Sequence, residues 1–382
     1  STTRDRTWVS SPGFDLNLLW NAHPHLKIQS GGMFQSDTIS SEQFSRDASQ
    51  PWAPTGYVGL PDGSSARMWG AFVFADVPFS LLQITTTLSA GIRAHGSQSE
   101  APAYSTLPQV RYDTNGLIFY ASASAAWKKT WFSSLVFSQG FRAPSIHESA
   151  MLGDEGKAFH VPNPDLNPES LDSLEWVGRL HLPEFDLSAG AFLSRIHDII
   201  LRRKTTWQGQ DQINGKDVVE NYNGNEGYLT GLEGAFHWRP AKRLEVLGFA
   251  NWTRGEEHRD DGTEVPMTRI PPLFGQLSLR THARWQSGRI RFTAEGFARG
   301  ALKQDRLSPE DESDVRIPEG GTPAWWTLNA RAGLTVKRPA PGIEGISLFV
   351  TAENLLDAEY KIHGSGVYGP GRGVIVNFTA DF

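Results

Sequence analysis

Gly373-Val374-Ile375-Val376-Asn377-Phe378-Thr379-Ala380-Asp381-Phe382 closes the chain and reads as a strand. Val374, Val376, Phe378, Ala380 and Phe382 share one face, while Ile375, Asn377, Thr379 and Asp381 share the other. The same period of two recurs upstream. Leu328, Ala330, Ala332, Leu334 and Val336 alternate with Thr327, Asn329, Arg331 and Thr335, and Leu277, Leu279, Ala283 and Trp285 alternate with Ser278, Arg280, His282 and Arg284. Working outward from these, about fifteen strands can be marked. They are 14–20 with 26–44, 66–75 with 81–95, 117–127 with 131–140, 170–181 with 185–203, 218–238 with 244–253, 269–285 with 289–299, 325–336 with 345–356, and 372–382.

The connections alternate in length. Residues 21–24, 76–80, 183–184, 239–242 and 286–288 make short links, whereas 45–65, 145–168 and 300–323 make long ones. Short turns at one end and long loops at the other mark a transmembrane antiparallel β-barrel. Trp20, Trp127, Trp131, Trp238 and Trp285 stand beside short turns. Indole has an apolar body and an N–H that seeks water, so a ring of it belongs at the lipid headgroups. The plainer reading is a soluble all-β protein with these tryptophans in its core.

Composition narrows the class further. The 382 residues include 38 Gly, 13 Trp and 21 Phe but only 4 Met and no Cys. A net charge of −6, with a pI near 6.0 and no long basic run, argues against a nucleic-acid partner. Mean hydropathy is −0.37, and no apolar run approaches the roughly 18 to 20 residues that a spanning helix needs. Absence of Cys removes disulfide and thiolate-metal readings. Ser1 begins neither a signal peptide nor an initiator Met, so the expectation is a mature product or a piece of a longer chain. Single-chain bacterial barrels have even strand numbers, so a count of about fifteen is odd. Either 2–10 adds a sixteenth strand across a turn at Ser11-Pro12-Gly13, giving a porin-sized barrel, or the chain is the C-terminal part of a larger one.

The loop between the sixth and seventh strands carries Phe141-Arg142-Ala143-Pro144, then His147 and His160, then Asn163-Pro164-Asp165-Leu166-Asn167-Pro168-Glu169. Loops of that length are usually functional. This pattern resembles the paired boxes at a large extracellular loop of TonB-dependent outer-membrane receptors. Other segments are similar to the same family, in the same order: 59–64 leading into 70–72, 88–93, 221–224 with 231–234, 269–272, and 353–357 with Tyr360, 363–366 and 370–372. The resemblance implies the C-terminal portion of a 22-stranded plugged barrel, about the last two thirds of the wall. The plug domain, the first strands and the short segment that engages TonB are not among these residues.

What the resemblance implies about function is uptake of a scarce iron-containing ligand, a ferric siderophore or haem. Segments 308–323 and 363–366 look most like receptors for iron or haem proteins. In haem receptors a histidine between the two boxes serves as an axial iron ligand, which points to His160 and secondarily to His147; the plainer reading is a solvated loop histidine. Arg142 at the rim suits an anionic siderophore or haem propionate, or else pairs with a carboxylate of the wall. The boxes also occur in receptors for siderophores and cobalamin, so they do not select haem. The acidic pairs 154–155, 256–257 and 260–261 could hold loop Ca²⁺ or simply solubilise; Glu257 with His258 is a weaker metal candidate. Arg280, Arg284, Arg291 and Arg331 fall on the polar face expected to line the lumen. No triad, phosphate loop or zinc-helix motif points to an enzyme. The expected setting is the bacterial outer membrane, with long loops outside and short turns and the C-terminus periplasmic, the TonB complex engaged through the plug, and no permanent cofactor. Two rivals stand: a passive sixteen-stranded porin-like channel, and a structural or adhesion barrel that presents its loops.

Overall fold

The computed structural model describes residues 2–46, 51–54, 61–103, 109–224, 226–259, 261–285 and 288–381. Its main sheet has 18 strand segments. Two of these, Ala53–Pro54 and Glu264–Pro266, are short loop pairings, and two more are collinear halves of one strand, which leaves fifteen wall strands. In chain order these are β1 (Thr2–Ser10 continued by Gly13–His23), β2 (Leu26–Arg46), β3 (Ser65–Leu81), β4 (Ile84–Ala101), β5 (Val110–Trp127), β6 (Trp131–Arg142), β7 (Glu169–Leu182) and β8 (Phe185–His197). They continue as β9 (Glu226–Ala241), β10 (Leu244–His258), β11 (Phe274–Trp285), β12 (Ile290–Ala301), β13 (Trp325–Ala340), β14 (Ile343–Glu353) and β15 (Gly373–Asp381). Each pairs antiparallel with the next, a simple meander. Among the described residues β1 and β15 each have a single wall neighbour, so the sheet is not closed on itself.

Burial decides between barrel wall and soluble sandwich. Leu16, Leu88, Leu117, Leu135, Leu174, Leu193, Leu232, Leu277, Leu279, Leu348, Val376 and Phe378 all stand exposed on one face. An apolar band running across so many strands far exceeds the few hundred Å² that a soluble monomer tolerates, so lipid is its solvent. Trp20, Trp127, Trp131, Trp238 and Trp285 are exposed as well, at the short-turn ends. The opposite face is polar: Glu245, Arg280, Glu295, Arg331 and Thr351 stand in one row across β10 to β14. Arg280 reaches Glu295 at 3.3 Å and Glu245 at 3.6 Å, and Arg331 donates to Thr351. Rings also lie over directly opposed glycines, Phe74 over Gly91, Phe192 over Gly231 and Phe349 over Gly333.

Four expectations are corrected. Residues 2–10 do not form a sixteenth strand. Ser10 pairs Thr38 and Gly13 pairs Gln35, so the register runs unbroken through Pro12, whose carbonyl still accepts from Ser36 N–H at 2.9 Å. Pro12 costs one ladder donor, which an edge strand tolerates. Second, 76–80 is no turn: β3 continues through Pro78, and the chain reverses at Leu82 and Gln83, whose φ values of 48° and 68° make a two-residue turn that their side chains do not advertise. Third, 185–203 breaks at Asp198, φ 54°, and Ile200–Lys204 leaves the wall. Fourth, 218–238 is likewise two elements, Lys216–Asn223 outside the wall and β9 within it. Readings that fell on Gly59, Leu60, Asp260, Gln286, Ser287 and Phe382 lie outside the described residues.

Candidate ligand-binding site at the long-loop end

β6 ends at Arg142, and the Ala143-Pro144 step disfavours helix until Ser145 can cap one. Helix α1 (Ile146–Ala150) begins with a full capping box. Ser145 Oγ accepts from Glu148 N–H at 3.2 Å, and Glu148 Oε2 accepts from Ser145 N–H at 2.9 Å. Ile146 and Ala150 pack against Ile39, Ala66, Ala101 and Val110, which draws α1 over the polar face of β2 to β5. The Arg142 guanidinium is held by two carboxylates, Glu148 at 2.8 Å and Glu169. Burial raises the Glu148 pKa, but Arg142 and the Ser145 N–H and hydroxyl outweigh it and hold the carboxyl below its ordinary range.

Between α1 and the wall lies a cavity of about 760 Å³. Arg142 and His147 line it, together with Arg93, His95 and Phe141. His160 does not line it. His95 was not singled out from sequence, although the alternation through 91–96 puts it beside Arg93 on the polar face. It is 8% exposed and neither ring nitrogen has a hydrogen-bond partner. Phe141 lies against it, ring centroids 3.9 Å apart.

The second half of the loop builds a small external sheet. Gly153–Glu155 pairs antiparallel with Ala158–Val161, which pairs in parallel with Lys216–Asn223 from the β8–β9 connection; Ile200–Lys204 and Gln212–Ile213 complete it. Leu152, Phe159, Val161 and Val218 form its core, with Trp207 and Ile213 packed alongside. Asparagines of the second box and of 221–224 stitch the two connections together. Asn163 donates to Asn221 O at 2.9 Å, Asn221 to Glu148 O at 2.9 Å, and Asn223 to Asn167 O at 3.0 Å. His160 is 2% exposed, and burial, then Arg202, lowers its pKa.

A third cluster joins the connections after β10, β12 and β14, bringing 308–323 beside 363–366. Ser308 caps helix α2 (Pro309–Ser313), Asp311 Oδ2 accepts from Arg269 N–H at 2.9 Å, and Asp314 receives Arg269 and Arg316 at 2.6 Å each. His363 Nδ1 lies 2.9 Å from Thr322 Oγ1, and Nε2 lies 3.9 Å from Asp311 Oδ2. Burial is the main cause that lowers the His363 pKa; Asp311 opposes it and Arg269 adds to it. A histidine whose folded pKa lies below about 6.5 binds fewer protons folded than unfolded, so its contribution to stability is present above pH 6.5 and falls as pH drops toward the folded value. Hydrogen exchange of the Arg269 and Asp311 amides, corrected for intrinsic rate, is therefore expected to lose protection between pH 7 and 5. His363→Gln should flatten that dependence; an unchanged slope in the variant would assign it to another group.

The acidic pairs are engaged by the protein itself. Asp154 meets Lys216 at 3.4 Å, Glu256 meets Arg306 at 3.0 Å and also Arg254, Glu257 meets Arg259 at 3.3 Å, and Asp261 accepts from Thr263. His258 faces Glu264 at 3.6 Å.

An antiparallel wall with a lipid-facing apolar band, a polar inner face and elaborated loops at one end is the wall of an outer-membrane barrel. Residues 1–355 match the family model described as TonB dependent receptor-like, beta-barrel, and the chain belongs to that family, whose members are receptors and transporters of the outer membrane. No curated protein sequence matches it. Among solved structures it is similar to the copper transporter OprC, at 13% identity and TM-score 0.73 over 97% of this chain and 56% of that one. It is also similar to the Serratia marcescens hemophore receptor HasR in complex with HasA and heme, at 15% identity and TM-score 0.68 over 97% and 58%. A third is the ferric citrate transporter FecA, at 12% identity and TM-score 0.63 over 98% and 54%. The chain thus spans a little over half the length of each.

Proposed function

We propose that this chain is the capturing and conducting wall of a TonB-driven transporter whose cargo is a scarce iron-containing chelate, a ferric siderophore or haem. The long loops face outward, the short turns and C-terminus face the periplasm, and TonB acts through a plug. The observation that carries this reading is the loop-end cavity of about 760 Å³, where Arg93, Arg142, His95 and His147 meet the ring of Phe141. Its size is that of a small-molecule site; Arg142 is already held by Glu148 and Glu169, so Arg93 is the guanidinium left to meet an anionic chelate, beside the imidazoles and the Phe141 ring. Iron, heme, ferric citrate, ferric yersiniabactin and copper are all named among the similar structures, and the anion-directed donors favour the chelates over a bare cation. For haem, His147 is the better placed imidazole, at 43% side-chain exposure; His160 could reach iron only after its hairpin opened.

Cells expressing the native receptor under iron limitation, fed ferric chelates or haemin, test this. TonB-dependent uptake of one such chelate is expected, falling roughly tenfold or more in the Arg93→Ala, His147→Ala double variant, since interactions with charged groups contribute about 1.5–3 kcal/mol. TonB-independent conductance with no chelate uptake would replace the transporter by the passive channel.

A further inference from the structure

We infer that Arg93 and His95 form a two-point subsite in the floor of the loop-end cavity for a carboxylate that the cargo carries free of its metal. This rests on the chelate reading and narrows it to one class of cargo. The two side chains stand two residues apart on the polar face of β4, and both line the cavity. His95 is only 8% exposed, and among the described residues neither Nδ1 nor Nε2 has a hydrogen-bond partner. Buried polar groups are nearly always paired, and leaving one unpaired is costly. An imidazole has at least one N–H to give, so the position calls for an acceptor. Arg93 supplies the charge. Arg142 holds Glu148 and Glu169, whereas Arg93 Nη2 rests on Met33 Sδ at 3.0 Å, and a thioether is a weak acceptor that a carboxylate would displace. Asp37 lines the same cavity, but it accepts from Gln35 at 2.9 Å and lies roughly 13 Å further up β2 than Met33, at about 3.3 Å per residue.

The backbone makes room for the pair. Gly70 and Gly116 stand directly opposite His95 on β3 and β5. A Cβ at Gly70 would meet Arg93 Nη2 at 2.8 Å, and one at Gly116 would meet His95 Cε1 and Nε2 at 3.3 Å each. Both donors therefore lie across positions that any other residue would crowd. The Phe141 ring packs on the imidazole, centroids 3.9 Å apart, and holds it in place. A carboxylate is flat, offers two oxygens, and accepts from a guanidinium and an imidazole at once; such charge-assisted bonds are about twice as strong as neutral ones. Oxygens already bonded to ferric iron are poorer acceptors, so the group must be free of the metal. Haem propionates and the uncoordinated arm of a ferric hydroxycarboxylate meet that requirement. Simple ferric hydroxamates, whose charged oxygens all sit on iron, do not.

Two matched pairs of probes titrated into the native receptor purified in detergent test the subsite: haemin against its dimethyl ester, and ferric citrate against ferric acetohydroxamate. Within a pair that binds, the member with free carboxylates is expected to bind roughly tenfold or more tightly. His95→Leu and Arg93→Met should each remove most of that preference, whereas His95→Gln, which keeps an N–H, should retain much of it. Affinity for the partner without free carboxylates should stay the same in all three variants, which also reports that they fold. Bound haemin should show the same Soret band in His95→Gln as in the parent, because the imidazole meets carboxylate and not iron; a shifted band would make His95 an iron ligand and overturn the subsite. No preference within either pair, or a preference that His95→Leu and Arg93→Met leave intact, overturns it too. So does binding of none of the four, and the chelate reading falls with it only if cells also take up no ferric chelate.

Discussion

Leu279→Arg is expected to lower the stability of the wall by about 2–4 kcal/mol, the cost of an arginine on the lipid face near the midplane. Leu279 sits in the middle of β11, 55% exposed, opposite Val246 of β10 and Gly296 of β12. In water that exposure would make the change nearly neutral; in a bilayer it places a charge in hydrocarbon. Gln276, three residues earlier on the polar face, supplies the control: Gln276→Glu, opposite Arg299, should change stability by less than about 1 kcal/mol. Denaturant midpoints of the barrel folded into bilayers check both. Equal effects at the two positions would contradict the assignment of faces.

Gly91→Ala is expected to destabilise by about 1–3 kcal/mol, although Ala ordinarily suits a strand better than Gly. A Cβ at Gly91 would meet Phe74 Cδ1 at 1.9 Å, and the three nearest atoms all belong to that ring. The ring is not free to swing, because Tyr120 packs edge-on against it with centroids 5.8 Å apart. The clash is thus specific to one pair. Combined with Phe74→Ala, the second substitution should recover most of the cost, and a double-mutant cycle on unfolding midpoints reads the coupling. Simple additivity would mean that Gly91 is needed for its backbone freedom instead.

Most of the wall was legible because a two-sided sheet writes its faces into the sequence at period two. The fifteen strands, the exposed tryptophans and the inward row through Arg280 and Arg331 all follow from that alternation. Signals that depend on backbone shape were not legible. Pro12 carries the side chain of a turn yet lies in line with β1, because alternation cannot distinguish continuation from reversal when a proline intervenes. Leu82 and Gln83 turn the chain with no turn-forming side chain. Alternation also runs on from β8 into 200–204 and from 216–223 into β9, although those segments leave the wall for a second sheet. At the candidate site, Arg142 and His147 were found from the boxes and do line the cavity. Alternation puts His95 beside Arg93, but its place against Phe141 becomes visible only once the strands between them are paired.

The parallel pairing of His160 with Val219 has a consequence for assembly. The two connections that form the external sheet are separated in the chain by β7 and β8. Neither contributes enough apolar surface to fold alone, since Phe159 and Val161 need Val218 to complete their cluster. Long-range closure must be reached before its contacts reward it, so such pairings form late. The cap can therefore condense only after the β7–β8 hairpin is in place, and its appearance would time-stamp insertion of that part of the wall. Once formed, it ties both connections into one piece, and the entrance would open by a hinge of the whole cap rather than by the flicker of either loop.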